Sequence, residues 1–309
     1  MNKYVIICDN SCALTKDLRE RFGVDDLVVG SIVFPDGSME KSDYDWEKIS
    51  PKDYFESMVS KKHIYKTSAV NIDEIKSVYR KHLEKGEDIL AITISSGLSG
   101  TYNFSLKAKE ELLLEFPDRK IEVVDSLRFS GGLGLLASRA NENRKAGMSL
   151  EENAKWLEEN KVKIHEAGPM DDLWFLARTG RISKAKAFFG SMAGVRPMGD
   201  FAQNGLTEVL GRAKGKKKAL EAAVEYMRRS IVNPEEQTIL ISHSLREEEA
   251  EEYKKMILET IKPKEVIITW VDMTSGANIG PGLCAAFYFG EPISENNEKE
   301  RALMAEVLK

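Results

Sequence analysis

A chain of 309 residues with 42% apolar and 31% charged side chains has the make-up of a globular protein and length enough for two domains. Its net charge of −5 lacks the basic footprint of a nucleic-acid binder. The apolar run behind Met1 is too short for a signal peptide, no later run approaches a membrane span, and three cysteines (Cys8, Cys12, Cys284) suit neither a disulfide framework nor a zinc knuckle, so the expectation is a cytoplasmic protein without stable membrane insertion.

Strands and helices alternate through the first half. Tyr4–Cys8 reads as a strand closed by the capping turn Asp9-Asn10-Ser11, and Thr15 opens a helix that Gly23 ends. Leu27–Phe34 is β-rich, with Pro35-Asp36-Gly37 as its turn. Ser50, followed by Pro51 and Asp53, starts a helix; Asn71 caps another over Ile72–Lys85. Ile89–Ile94 is almost wholly apolar, the pattern of a strand buried on both faces. A helix over Leu98–Phe116, a strand over Lys120–Val124 and a helix over Ser130–Lys145 follow. Repeated β-α units imply a parallel sheet with helices on both faces.

The pattern changes near residue 160. After a helix over Leu150–Glu159 come a strand candidate at Lys163–Met170, a short helix at Asp171–Leu176, and a loop, Thr179-Gly180-Arg181-Ile182-Ser183, leading into a helix to Phe189. Ala193–Met198 and Leu206–Gly211 flank Asn204-Gly205, a hairpin signature. A helix over Lys216–Arg229, a strand over Thr238–Ser242, a helix over Glu247–Thr260 and a strand over Glu265–Val271 complete this half, and Ser275–Gly282 is expected to open an apolar final helix. The fold class is therefore α/β in two domains. Residues 1–162 carry the parallel sheet, and residues 163–309 a mixed or antiparallel one. Ligand sites favour such domain boundaries.

Ile94–Tyr102 is the most informative stretch. A buried strand runs into Ser95-Ser96-Gly97-Leu98-Ser99-Gly100-Thr101, four hydroxyls and two glycines before a helix. Such a loop can aim N–H and O–H groups at one anion; it also reads as an ordinary capping turn. Asp9-Asn10-Ser11, Thr67-Ser68 and Asp125-Ser126 likewise follow or abut apolar runs, and on one sheet edge these ends would form a single polar crevice. No Gly-rich loop with a lysine, no G-x-S-x-G elbow and no paired metal-ligand spacing occurs. His243, in Ile-Ser-His-Ser, either serves a nucleophilic serine or makes a local strand-end hydrogen bond. Arg181 suits bidentate binding of carboxylate or phosphate, or an interdomain ion pair. The basic run from Arg212 to Lys218 binds phosphate or an acidic partner, or is a solvated helix entry.

Taken in order, Asp9-Asn-Ser, Lys66-Thr-Ser, Ser95-Ser-Gly-Leu-Ser-Gly-Thr-Tyr, Asp125-Ser, Gly180-Arg-Ile-Ser, Arg196-Pro, Arg212…Lys-Lys-Lys-Ala and Gly280-Pro-Gly resemble the DegV family over about residues 3–290. The resemblance implies a bacterial fatty-acid-binding protein that holds one long acyl chain between two α/β domains and presents its carboxylate to a separate, ATP-using fatty acid kinase. It implies binding rather than catalysis in this chain, with no cofactor beyond the bound fatty acid. The expected ligand-binding residues are Thr67, Ser68, Ser95, Ser96, Gly97, Arg181, Arg212 and Asn278. Phe188, Phe189, Met192 and Val195 are candidates for the tunnel wall, or equally for plain core. Three positions depart from the family pattern. Asn278 stands where the family commonly has histidine, Arg178-Thr179-Gly180-Arg181 replaces Lys-Gly-Gly-Arg, and Thr67-Ser68-Ala69-Val70 replaces Thr-Ser-Gln-Pro. The competing reading is a small-molecule serine hydrolase using Ser95 or Ser96 with His243.

Overall fold

The computed structural model describes residues 3–182 and 194–309. Tyr4–Asp9 (β1) is buried at every position. Lys16–Phe22 (α1) starts where the Thr15 side chain accepts from the Leu18 N–H and stops at Gly23, whose φ of +67° suits glycine. Asp26–Val28 (β2), Ser31–Val33 (β3) and Met39–Lys41 (β4) follow. Pro51–Met58 (α2) is capped by Ser50 as its sequence predicts, and Lys66–Ser68 (β5) leads to Ile72–Leu83 (α3), capped by Asn71. Asp88–Thr93 (β6), Thr101–Glu115 (α4) and Ile121–Asp125 (β7) complete the repeated units. The first sheet has the order β2-β1-β6-β7, all parallel.

Leu27–Phe34 is not one strand. Gly30 interrupts it: its N–H donates to Asn10 Oδ1 at 2.9 Å, and a side chain there would crowd the Ser68 carbonyl. The chain then turns into a small antiparallel sheet, β4-β3-β5, whose third strand carries Thr67 and Ser68.

Ser130–Lys145 (α5) is buried continuously from Ser130 to Ala137. It packs on β1 and β6 and also on the second sheet's strands, so it lies between the two sheets. Leu150–Asn160 (α6) begins in a capping box of Ser149 and Glu152. Ile164–Ala167 (β8) opens the second half, followed by Trp174–Thr179 (α7) and the hairpin Val195–Phe201 (β9) and Thr207–Lys214 (β10). The hairpin turns at Gly205, φ +75°. Lys216–Ser230 (α8), Thr238–His243 (β11), Glu247–Thr260 (α9), Glu265–Trp270 (β12) and Met273–Ile279 (α10) come next.

The apolar run after Gly282 is a strand, Cys284–Phe289 (β13), not the expected final helix. It lies antiparallel between β11 and β8, giving the mixed order β12-β11-β13-β8. Because both of its faces are covered, its sequence does not alternate, and a short apolar run of this kind is ambiguous by periodicity alone. The C-terminal helix is Glu298–Val307 (α11). One apolar cluster joins Ile6 and Leu90 of the first sheet, Leu133 and Leu136 of α5, and Leu240 and Phe287 of the second. Among the described residues, no helix is long and apolar enough to cross a membrane.

Candidate functional site

The C-terminal ends of β1 and β6, the strand β5, and the helices α4, α7 and α10 surround a cleft of about 810 Å³, open mouth included. From the first sheet come Asp9, Asn10 and Ser11. Asp9 is buried and fully engaged. It accepts from the Ser11 N–H and hydroxyl and from the Ile94 N–H, and so pins the strand ends together. Burial pushes its carboxyl up to about 6 despite these bonds.

Thr67 and Ser68 line the cleft from β5, and Asn278 and Ser275 from α10. Asn278 Nδ2 donates to Thr67 Oγ1 at 3.2 Å and to the Thr274 carbonyl at 3.1 Å, so the amide orients the threonine hydroxyl. Ser275 is 7% exposed, and among the described residues its hydroxyl has no partner in good hydrogen-bond geometry, with the buried Asp272 carboxyl beside it. A buried hydroxyl without a partner costs free energy unless something arriving satisfies it. Nothing in the local pattern of Ser275 singled it out, because its hydroxyl gains meaning only from the cleft it lines.

Leu98, Ser99, Gly100 and Thr101 form a further side of the cleft. Helix α4 begins at Gly100, and its first N–H, that of Thr101, donates to the Ser99 hydroxyl at 3.3 Å within this wall. Arg181 also lines the cleft, held by the carbonyls of Leu98 and Thr179. Beside it, the Arg178 guanidinium has a buried, unpartnered Nε, and burial together with the charge of Arg181 pulls its pKa down. Two guanidiniums this close favour an anion between or near them.

A second cavity adjoins the cleft on its inner side. Phe129, Leu176, Thr207 and Ile279 line both the cleft and this narrow second chamber of about 390 Å³ with its open side included, whose other walls include Met170, Leu173, Val209 and Leu283. A hydroxyl-rich mouth thus adjoins a mostly apolar chamber between the parallel and mixed sheets. Of the expected wall residues, Phe188, Phe189 and Met192 lie outside the described residues, and Val195 is not part of either wall.

Four expected ligand residues fall outside the cleft wall. The Ser95 hydroxyl is turned to the hairpin, donating to the Gly205 carbonyl at 2.8 Å and accepting from the Gly97 N–H at 3.1 Å. Gly97 approaches Asn204 so closely that a side chain there would collide with its carbonyl. Ser96 is exposed, with its N–H bonded to Asp125 Oδ1 at 3.0 Å. This βα loop therefore clamps the β9–β10 turn, and the hydroxyl lining falls to Ser99 and Thr101. Asp125-Ser126 joins the clamp and not the crevice, since Asp125 holds Ser96 and Leu127. Arg212 is exposed on β10, away from the cleft wall. Lys216 and Lys217 of the same basic run pair with Glu252 at 3.1 Å and Glu221 at 3.8 Å.

No triad forms. His243 ends β11, packs on Trp270 at 4.3 Å between centroids, and accepts from the Arg246 N–H. Burial pushes its imidazole down to about 4. Among the described residues no serine hydroxyl is bonded to it, and Ser95 is committed to the hairpin. The same residues hold no cluster of three or more His, Cys, Asp or Glu fit for a metal ion.

Residues 3–291 match a family model described as "Uncharacterised protein, DegV family". A DegV domain-containing protein of Clostridium perfringens is 35% identical over 291 residues, spanning 94% of this chain and 99% of that one. A DegV family protein from Thermus thermophilus, solved for its fatty acid binding, superposes with a TM-score of 0.82 at 28% identity, over 94% of this chain and 100% of that one. The fatty acid kinase (Fak) B3 protein of Streptococcus pneumoniae, solved with linoleic acid, has the same fold at a TM-score of 0.79 and 21% identity, over 94% and 100% of the two chains.

Proposed function

The chain belongs to the DegV family, and from that premise we propose that it binds a long-chain fatty acid between its two sheets and presents the carboxylate to a separate fatty acid kinase. The observation that carries this reading is that a polar mouth adjoins a mostly apolar chamber, the two sharing Phe129, Leu176, Thr207 and Ile279 as wall. An acyl tail gains about 0.8 kcal/mol for each methylene it buries. A carboxylate leaving water needs several donors in return. Thr67, Ser275, Asn278 and Arg181, which line the cleft, supply them. The chemistry then belongs to the kinase, which transfers a phosphoryl group onto a carboxylate that this chain only holds. The fatty acid bound by the Thermus thermophilus relative supports the lipid, and the Fak B3 fold likeness motivates the kinase arm.

The test is solvent extraction of the purified protein followed by mass spectrometry, with a fatty acid at about one per chain as the expected result; a lipid-free protein that also fails to take up added oleate would sink the reading. For the kinase arm, an Arg212→Ala variant should keep its lipid yet be phosphorylated more slowly by a fatty acid kinase, because Arg212 is exposed and outside the cleft wall. Loss of lipid in that variant would move Arg212 to a binding or structural role.

A further inference from the structure

Strand β8 alternates. Ile164 joins the core between the sheets, while Ala167 joins the apolar cluster on the opposite face. Glu166 shares the face of Ile164, where an apolar side chain is expected, and it lines the inner chamber. It is 5% exposed. Its Oε2 has only a long contact, from the Thr207 hydroxyl at 3.4 Å, and its Oε1 has no hydrogen-bond partner among the described residues. Among the described residues no cation forms an ion pair with it, although the Arg128 charge acts on it. The nearby Arg128 guanidinium is bonded instead to the carbonyls of Ile164 and Leu127, both at 2.8 Å.

A carboxyl with an open valence in an apolar chamber is costly unless the ligand completes it. We propose that Glu166 is a specificity-determining residue that hydrogen-bonds a hydroxyl on the middle of the acyl chain, so that hydroxylated long-chain fatty acids are preferred over their plain counterparts. The proposal rests on the fatty-acid-binding reading above. The mid-chain placement follows from Thr207, which lines both the mouth cleft and the inner chamber and touches Glu166. The carboxyl therefore stands beside the junction and not at the blind end. Burial, reinforced by the charge of Asp200, pushes this carboxyl up to about 8, so at neutral pH it is an acid that both donates to and accepts from an alcohol.

The experiment is a binding titration of the delipidated full chain with two matched pairs, ricinoleate against oleate and omega-hydroxypalmitate against palmitate. Ricinoleate differs from oleate by one mid-chain hydroxyl. It should bind about tenfold tighter to the natural protein, and omega-hydroxypalmitate should show no gain over palmitate. Glu166→Gln, which keeps a donor and an acceptor, should retain the ricinoleate preference. Glu166→Leu should abolish it while holding oleate at least as well. Equal binding of ricinoleate and oleate by the natural protein overturns the proposal and leaves the fatty-acid reading standing. A gain for omega-hydroxypalmitate as large as that for ricinoleate overturns the mid-chain placement. Binding of none of the four acids overturns both readings. Should Glu166→Leu not fold, the two pairs on the natural protein and on Glu166→Gln still decide.

Discussion

Thr67 and Ser275 both line the mouth, with unequal histories in the sequence. Thr67 belongs to a hydroxyl pair after an apolar run and was legible; Ser275 sits in an unremarkable helical turn and became visible only as a buried hydroxyl without a partner in good geometry among the described residues. Each hydrogen bond to a carboxylate is worth about 1.5–3 kcal/mol. Thr67→Ala combined with Ser275→Ala should therefore weaken fatty acid binding by about a hundredfold or more, read by titration of delipidated protein; unchanged affinity would place the carboxylate elsewhere. Ser95 misled for the opposite reason. A serine at a strand end can serve a ligand or the fold, and only the partner, here the Gly205 carbonyl, distinguishes the two. Glu166 gives a pH prediction. Its carboxyl ordinarily ionises near 4.5 and in the fold near 8, so the folded chain holds a proton that the unfolded chain has lost. Stability from this group is present in full below about pH 4.5 and is lost as pH rises toward 8, by at most about 1.4 kcal/mol per pH unit. Glu166→Gln removes that slope, so its melting temperature should rise relative to the natural protein between pH 5 and pH 8. A constant difference would mean that Glu166 is already ionised. Asp200 and Arg128 face the same group and also act on its proton.

Helix α5 shows why the elements fit as they do. Its first turns carry Gly131, Gly132 and Gly134, poor helix formers placed where two sheets press in. A side chain at Gly131 would stand 2.6 Å from the Phe287 ring and 3.1 Å from Leu240, and one at Gly134 would stand 2.9 Å from the Cys12 carbonyl. Helix propensity favours alanine at both positions, so the glycines are explained by close approach alone. Gly131→Ala should destabilise the protein by about 1–3 kcal/mol, as overpacking does, measured by urea denaturation; a stabilised variant would show that the second sheet has room to shift. The bounds of α5 were readable to the residue. So were those of α9, because charged first turns and apolar spacing agree there. Strand β13 was read as helix because burial on both faces erases the alternation that marks a strand.

At the scale of the molecule, the parallel first sheet and the mixed second sheet were legible from the order of β and α signals, and the mouth was half legible from its hydroxyls. The inner chamber was not. Its walls come from β8, α7, β9, β10 and α10, and no periodicity says which apolar side chains leave a gap between them. The same apolar cluster runs through both sheets by way of α5. Thermal unfolding should therefore be one cooperative transition, shifted upward by added fatty acid according to its concentration over Kd, and two separated transitions in calorimetry would contradict a shared core.

The place of β13 also bears on how the chain is made. It is the strand that joins β8 to β11, so β8 waits beside an unfilled position until residues beyond 284 have emerged. Synthesis at 5–20 residues per second leaves roughly 7–30 seconds between the end of α5 and the arrival of that strand. Through this interval the glycine face of α5 that Phe287 will cover stays open to water while the parallel sheet can already close behind it. Nascent chains halted after β12 should therefore recruit chaperones that the finished protein does not, and pull-down of such halted chains measures it.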